Sequence, residues 1–407
     1  MKFNPETIKK DFPIFDKVKN FAYLDTAATS QTPQLVLDVM NEYYTEFRAN
    51  VHRGLYQAEE QATAAYEDAR GKVARFIGAE PCEIIFTAGA TASSNMLVAM
   101  LEHSSVVATN DEIVTTVMEH HASLIPLQEL AKRNSLAINY IGLAYGEVGL
   151  DYDVAEKLIT KKTKIVSVVL ASNVTGVIND VARIAEMAHK VGALMIVDAT
   201  AAVGHMPVDV RTLGADFVYF SGHKMCGPTG VGVLWGKHEL LEKLEPGVYG
   251  GGIVEKVMLE GASWRESLAR FEAGTPNIAG AIGLGAAVAY LENVGVKNIY
   301  THTQVVVKEA LAHLREIPGV RILAEGDSER NIGIVSFVME GIHAHDLAEI
   351  LGREGVAIRS GHHCAEPFVT ALGVSATARA SFYLYNTADD IGALIAGIKK
   401  AKEVFKV

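Results

Sequence analysis

Cysteine is scarce in this chain. Only Cys82, Cys226 and Cys364 occur among 407 residues, too few and too far apart for a disulfide framework or a paired-cysteine metal site. Tryptophan is scarcer still, with two. No low-complexity stretch or repeat on the order of 20–50 residues is present, which argues against a solenoid. The longest apolar run, Ala279 to Leu291, ends at Glu292 and is too short to span a bilayer. The opening MKFNPETIKKDFPIFDKVKN lacks a secretory-type apolar core. Basic charge is not in excess either. Lys and Arg number 37 against 48 Asp and Glu, a net charge of −11, which disfavours nucleic acid or an anionic membrane as partner. A cytoplasmic protein in a reducing compartment is the expectation.

What remains is a composition that buries sizeable cores, 49% hydrophobic and 21% charged. At this length two domains are expected. From residue 83 onward, short β-rich runs alternate with helical stretches. EIIFT (83–87), EIVTTV (112–117), KIVSVVL (164–170), ALMIVD (193–198), FVYF (217–220) and VGVLW (231–235) read as strands. Helices are expected near Ala92–His103, Leu124–Arg133 and Ala182–Val191. Uniformly apolar strands interleaved with helices predict a largely parallel α/β sheet covered on both faces, with ligands at the carboxyl ends of its strands. The stretch Gly247–Trp264 reads as a long irregular loop. After a helix over Ala279–Glu292, the pattern changes to a smaller α+β unit. Its helices are Ile299–Glu316, Ala344–Arg353 and one from Ala388; its strands are near Val320–Ile322, Ile332–Phe337, Val356–Ile358 and Arg379–Tyr383.

Five places carry chemistry. Lys224, in Ser221-Gly222-His223-Lys224, follows a buried strand directly. It is either a Schiff-base lysine, desolvated and nucleophilic, or a solvated loop residue. Asp198 ends the strand ALMIVD, where a carboxylate either pairs with a cofactor's ring nitrogen or caps a helix. Thr87-Ala88-Gly89-Ala90-Thr91 joins a strand to a helix and suits a phosphate cradle, or is a plain glycine turn. It lacks the P-loop lysine and the GxGxxG spacing, so neither ATP nor a dinucleotide is favoured. His120, in Glu119-His120-His121, can stack on a ring or shuttle protons. Finally, Arg359-Ser360-Gly361-His362-His363-Cys364 puts a thiol in an accessible stretch, and Arg379 can fork onto a carboxylate or form a surface ion pair. No metal site is expected, because the histidines lack further ligands at suitable spacing.

These segments, in order, resemble the class V aminotransferases, specifically the group II cysteine desulfurases that feed iron–sulfur cluster assembly. YLDTAATSQTP (23–33), NVHRG (50–54), TAGATASSN (87–95), EHHASLIPLQ (119–128), SNVTGVIN (172–179), SGHKMCGPTGVG (221–232), RFEAGTPN (270–277), RSGHHCAEP (359–367) and RASFYLYNT (379–387) carry the match over essentially the whole chain. The resemblance implies the pyridoxal-phosphate-dependent transferase fold of type I, aspartate aminotransferase-like. A seven-stranded, mainly parallel sheet domain would span 20–295. A small domain of 1–19 and 296–407 would carry the catalytic cysteine and the substrate arginine.

It also implies pyridoxal 5'-phosphate as cofactor, bound to Lys224, stacked by His120 and paired with Asp198. Asn173 would lie near the cofactor oxygen and the substrate carboxylate. Ala90, Thr91, Ser221 and His223 would hold the phosphate, and Thr275 would reach the phosphate of a neighbouring subunit in a homodimer. Arg379, with Arg359, would bind L-cysteine, and Cys364 would carry the persulfide, passing sulfur to a separate acceptor protein. Selenocysteine lyase and a weakly active cofactor-binding partner share this frame. One departure favours the latter. Where the family has Asp-Gly-Ala-Gln-Ala, this chain reads Asp198-Ala199-Thr200-Ala201-Ala202, so the glutamine that hydrogen-bonds the cofactor's phenolic oxygen is Ala201. Thr200 or a water is expected to supply that bond. Thr175, where leucine is usual, and Glu366, where methionine or glutamine is usual, are lesser departures.

Overall fold

A computed structural model describes residues 3–144, 149–323 and 330–407. Its larger unit is built on a seven-stranded sheet. The strands are β1 (Ile84–Thr87), β2 (Glu112–Thr116), β3 (Ala137–Ile141), β4 (Thr163–Val169), β5 (Leu194–Asp198), β6 (Phe217–Ser221) and β7 (Gly232–Gly236). Across the sheet they run β1-β7-β6-β5-β4-β2-β3. Only β7 is antiparallel to its neighbours; the others pair in parallel.

Successive strand residues alternate between two cores, as the two-residue period requires. Ile113, Ile165, Ile196 and Phe217 face one, with Leu97 and Leu130 of the helices Ala90–His103 and His121–Asn134. Val114, Val166, Val197 and Val218 face the other. Helix Val181–Lys190 closes that second face with Val181, Ile184, Ala185 and Ala188, one apolar stripe at helical spacing, and Asp180 caps it by accepting from the Arg183 N–H. The core helix Ile278–Val294, packed against the helices Gln57–Phe76 and Gln34–Glu46, is buried along nearly its whole length. Its small residues permit close packing: a side chain at Gly285 would meet Ala69 Cβ at 2.7 Å. No single helix among the described residues is long and apolar enough to cross a membrane.

The smaller unit is an antiparallel sheet in the order Val320–Leu323, Ile334–Met339, Thr377–Ser381, Arg359–Gly361. Helices Val296–Arg315, Ala344–Arg353 and Ala388–Phe405 cover one face through Val307, Leu314, Leu351, Leu394 and Ile398. The short strand Ala22–Tyr23 pairs with Val356–Ala357, and Leu24 joins this smaller core. A boundary at residue 20 therefore falls just before a segment tied to the smaller unit. The N-terminal helices Pro5–Lys9 and Pro13–Lys17 touch both units. Phe12 packs edge-on against Tyr290 and Tyr385, and Lys9 pairs with Asp390 at 3.1 Å.

Three sequence expectations change. Gly247–Trp264 is not an irregular loop throughout, because Val254–Met258 and Gly261–Trp264 form a hairpin. Its two-residue turn is Leu259-Glu260, without the Asn or Gly that usually marks such turns, and its strands project outside the core, so neither turn chemistry nor burial periodicity signalled it. The strand Ala137–Ile141 lacks the apolar run of its neighbours because, at the sheet's edge, its residues are mostly half-exposed or exposed. Arg379 lies in the middle of the strand Thr377–Ser381, not at the start of one.

Candidate active site

The carboxyl ends of the parallel strands converge on one cavity of about 230 Å³. Strand β6 delivers Ser221 and, through the short turn Gly222–Lys224, the lysine. Enclosure pushes the Lys224 amine down to about 8, aided by nearby Arg379 and opposed by Asp198. The amine is thus far more readily neutral than an ordinary lysine. Its backbone is held from below: His205 Nε2 lies 3.2 Å from the Lys224 carbonyl it donates to, and the His205 ring stacks on Tyr383 at 4.0 Å. Nothing in the sequence singled out His205.

Asp198 ends β5, 3% exposed, and its Oδ1 accepts the Thr200 N–H at 2.9 Å. Burial raises its pKa, against the pull of the Thr200 hydrogen bonding and Lys224. A cationic ring nitrogen is the partner such a carboxylate lacks. From the end of β2 comes His120, the N-cap of helix His121–Asn134, whose Nδ1 accepts the Ala122 N–H at 3.0 Å. Burial, with Lys224 nearby, pushes it down to about 3. His120 is therefore neutral, and the occupied Nδ1 fixes its proton on Nε2.

Its neighbour Glu119, quoted in the sequence only as part of a motif, proves to be fully buried. Oε1 accepts from Thr116 Oγ1 at 2.8 Å and the Val169 N–H at 2.8 Å, while Oε2 is 3.0 Å from Ser123 Oγ. This carboxyl ties β4 to the turn after β2 and to the helix that His120 caps.

The anion cradle forms where β1 meets helix Ala90–His103. Gly89 adopts φ 143°, open to glycine, and the Ala90 N–H donates to Ser221 Oγ at 2.8 Å. Gly232 lies against it so closely that a Cβ there would sit 2.5 Å from the Gly89 Cα. Thr91 lines the same cavity, and so does His223, whose Nδ1 is 3.2 Å from Thr29 Oγ1.

On the opposite wall stand Arg379, Asn173 and the cysteine loop. Arg379 is 1% exposed; its Nη1 donates to the Asn173 carbonyl at 2.8 Å and its Nη2 to Asp25 Oδ1 at 3.1 Å. Burial lowers it to about 10 although Asp25 opposes that shift. Nothing in the surrounding segment YLDTAATSQTP marks Asp25 as the arginine's partner, because Arg379 is distant in sequence. Asn173 Nδ2 donates to the His363 carbonyl at 2.7 Å, and the His121 N–H donates to the Cys364 carbonyl at 2.7 Å. His363 and Cys364 both take left-handed conformations, φ 54° and 57°, which cost non-glycine residues on the order of 1–2 kcal/mol each. The paired histidines anchor this turn: His362 Nε2 donates to the Ser375 carbonyl at 2.6 Å, and His363 Nε2 is 2.6 Å from Thr377 Oγ1. Cys364 remains exposed, lining both the cavity and an outer groove beside Ile125 and Pro126. Arg359 also borders the cavity. Among the described residues no group of His, Cys, Asp and Glu has a metal-binding arrangement.

The residues present fit pyridoxal phosphate. Asn173 Oδ1, Thr200 Oγ1 and Arg379 Nε are buried polar atoms without protein partners, and all three residues line the cavity. Such atoms call for a polar ligand. A helix N-terminus for a phosphate, a carboxylate for a ring nitrogen and a lysine amine for an aldehyde complete the match. Ala201 also lines the cavity and offers no hydrogen bond, while the hydroxyl of the adjacent Thr200, near enough to Asp198 to lower its carboxyl, makes no hydrogen bond of normal geometry. Thr275 alone stands apart, in a second cavity of about 590 Å³ with Arg53 and Arg265.

Comparison with known proteins agrees with this geometry. The family model described as aminotransferase class-V matches residues 22–394. A probable cysteine desulfurase of Halalkalibacterium halodurans is 46% identical, covering 99% of both chains. A cysteine desulfurase of Haloferax volcanii is 42% identical over 98% of this chain and 97% of its own. Among solved structures, the apo cysteine desulfurase of Thermococcus onnurineus has a TM-score of 0.93 at 41% identity, covering 100% of this chain and 99% of that one. The cysteine desulfurase CsdA of Escherichia coli, in an S-sulfonic acid form, has a TM-score of 0.92 at 36% identity, covering 99% and 100%. Matched over nearly its whole length in sequence and in three dimensions, the chain belongs to the class V aminotransferase family.

Proposed function

We propose that this chain is a pyridoxal-phosphate-dependent cysteine desulfurase that converts L-cysteine to L-alanine and takes up the sulfur on Cys364. The observation that carries the reading is the shared cavity of Lys224, Arg379 and Cys364: an amine, a carboxylate receptor and an accessible thiol around one small space. Bound there, the cofactor's protonated ring draws electrons from the substrate's Cα–H bond and so loosens its Cβ–S bond.

The chain's own groups do the rest. Arg379 receives the substrate carboxylate, and Asn173, whose carbonyl accepts from Arg379 Nη1, steadies the guanidinium. Lys224, an amine readily neutral near physiological pH, removes the Cα proton. The Cys364 thiolate attacks the substrate sulfur: the S–S bond forms, the Cβ–S bond breaks, and the electron pair stays with the carbon skeleton. One proton returns to that skeleton from Lys224 and the other is the substrate thiol's own, released as the persulfide forms beside the neutral His120; alanine leaves, and Cys364 holds a persulfide anion. The outer groove on its other side gives a second thiol an approach to the terminal sulfur. That transfer regenerates the Cys364 thiol and supplies sulfur to an acceptor protein for iron–sulfur cluster assembly. Thr275, remote from its own chain's cavity, serves the phosphate of a second copy in a homodimer.

The test is a sulfide and alanine assay on cofactor-loaded protein with L-cysteine and a reductant. Equal amounts of the two products are expected. Cys364→Ala should release no sulfide while keeping the cofactor's visible absorption; full turnover by that variant refutes the persulfide role. Running the same pair on selenocysteine separates a selenium-specific lyase, whose activity would survive loss of the thiol.

A further inference from the structure

Arg379 is a buried cation with like charge near it. Arg359 sits opposite it in the strand ladder, and Lys224 lies across the cavity. Among the described residues, the only carboxylate in ion-pair contact with it is Asp25. We propose that Asp25 is a positioning residue for substrate binding, holding the Arg379 guanidinium in the orientation that receives the L-cysteine carboxylate. The proposal rests on the desulfurase reading above.

Two observations decide that Asp25 supports the arginine rather than competing with the substrate for it. First, Arg379 keeps spare donors: Nη1 gives one N–H to the Asn173 carbonyl and Nη2 one to Asp25 Oδ1, which leaves each nitrogen a second N–H beside the partnerless Nε, and the residue lines the cavity. A substrate carboxylate can dock without expelling Asp25. Second, the backbone that carries Asp25 is tied to the strand that carries Arg379. It bridges to Ser381, two residues beyond Arg379 on the same strand. The Ser381 N–H donates to the Leu24 carbonyl at 2.7 Å, and the Ala27 N–H donates to Ser381 Oγ at 2.9 Å. Receptor and counter-ion are therefore fixed to one frame, and a preoriented fork loses little on binding. Burial alone would lower the arginine further, and Asp25 is the chief group opposing that shift.

The experiment compares the cofactor-loaded parent with Asp25→Asn and Asp25→Glu. It measures kcat and KM for L-cysteine, and the dissociation constant of L-alanine from the change it causes in the cofactor's absorption. For Asp25→Asn, both KM and the alanine constant should rise about 10-fold or more, the scale of a buried charge pair losing one partner, while kcat stays within about 3-fold. Asp25→Glu, which keeps the charge on a longer arm, should fall between the parent and Asp25→Asn. A KM or alanine constant that is unchanged or lower in Asp25→Asn overturns the proposal. If Asp25→Asn does not load cofactor, Asp25→Glu decides, and parent-like constants in it overturn the proposal. A parent that binds alanine yet releases no sulfide counts against the desulfurase reading, while the alanine constants still judge Asp25.

Discussion

Glu119 makes stability depend on pH in a direction opposite to most carboxylates. Burial pushes it from 4.5 up to about 8, with Asp198 adding to the shift, against the hydrogen bonds from Thr116, Val169 and Ser123. Of those three groups only the Val169 N–H is obliged to donate; both hydroxyls can reverse. A protonated Oε2 can donate to Ser123 Oγ while Oε1 accepts from Val169 and Thr116. The folded state therefore holds a proton that the unfolded chain releases above its ordinary carboxylate value. The stabilisation is complete below that value and is lost as pH rises through about 8. Each pH unit in the window costs about 1.4 kcal/mol, so roughly 3 kcal/mol is lost between about pH 5 and pH 7. Glu119→Gln mimics the protonated acid, with its amide oxygen toward Val169 and its NH2 toward Ser123. The variant should match the parent near pH 5 and exceed it increasingly toward pH 8. Denaturant midpoints of both proteins across that range measure the divergence. Parallel pH profiles would refute the reasoning, and so would a variant weaker than the parent at every pH, because either would mean that the carboxyl is folded as an anion.

Other outcomes follow from single positions. In cofactor-free protein, Lys224 should react with an amine-selective reagent along a titration centred near 8, and a midpoint near that of ordinary lysine would remove the desolvated amine from the mechanism. Gly232→Ala should weaken cofactor binding about 10-fold or more, since its Cβ would meet the Gly89 backbone that forms the cradle; equal affinity would show that the cradle yields. Ala201→Gln should restore a donor to the cofactor's phenolic oxygen, shift the pH midpoint of its visible absorption by roughly one unit and raise turnover. Thr200→Val should move that midpoint in the parent background; an unchanged spectrum would mean that its hydroxyl does not serve the cofactor.

The strands of the large sheet were legible because burial on both faces leaves a continuous apolar run, and their order along the chain told of parallel pairing. Ala137–Ile141 was not legible, for an edge strand has one neighbour and half-exposed side chains. The hairpin Val254–Met258 with Gly261–Trp264 was hidden for a related reason: its pairing is backbone to backbone and its side chains meet water. Among site residues, Lys224 stood out because a lysine directly after a buried strand is unusual, whereas Asp198, at a position where a capping Asp is common, carried weight only together with it. Asp25, Glu119 and His205 did not, because each acts through a partner distant in sequence: Arg379, Val169 and Tyr383.

By itself, the sequence determined the alternation of strands and helices, the types of chemical group available and, through motif order, the family. Those properties are local, written in residue type and short-range spacing. Which groups touch was decided by the tertiary structure alone. Strand order across the sheet brought Ser221 to Ala90, and the packing of the smaller unit against the larger brought Arg379 and Cys364 to Lys224. The same enclosure set their charges. Removing water from around the amine of Lys224 and the ring of His120 shifts both toward neutrality, and desolvation is a property of the folded cavity, not of any stretch of chain.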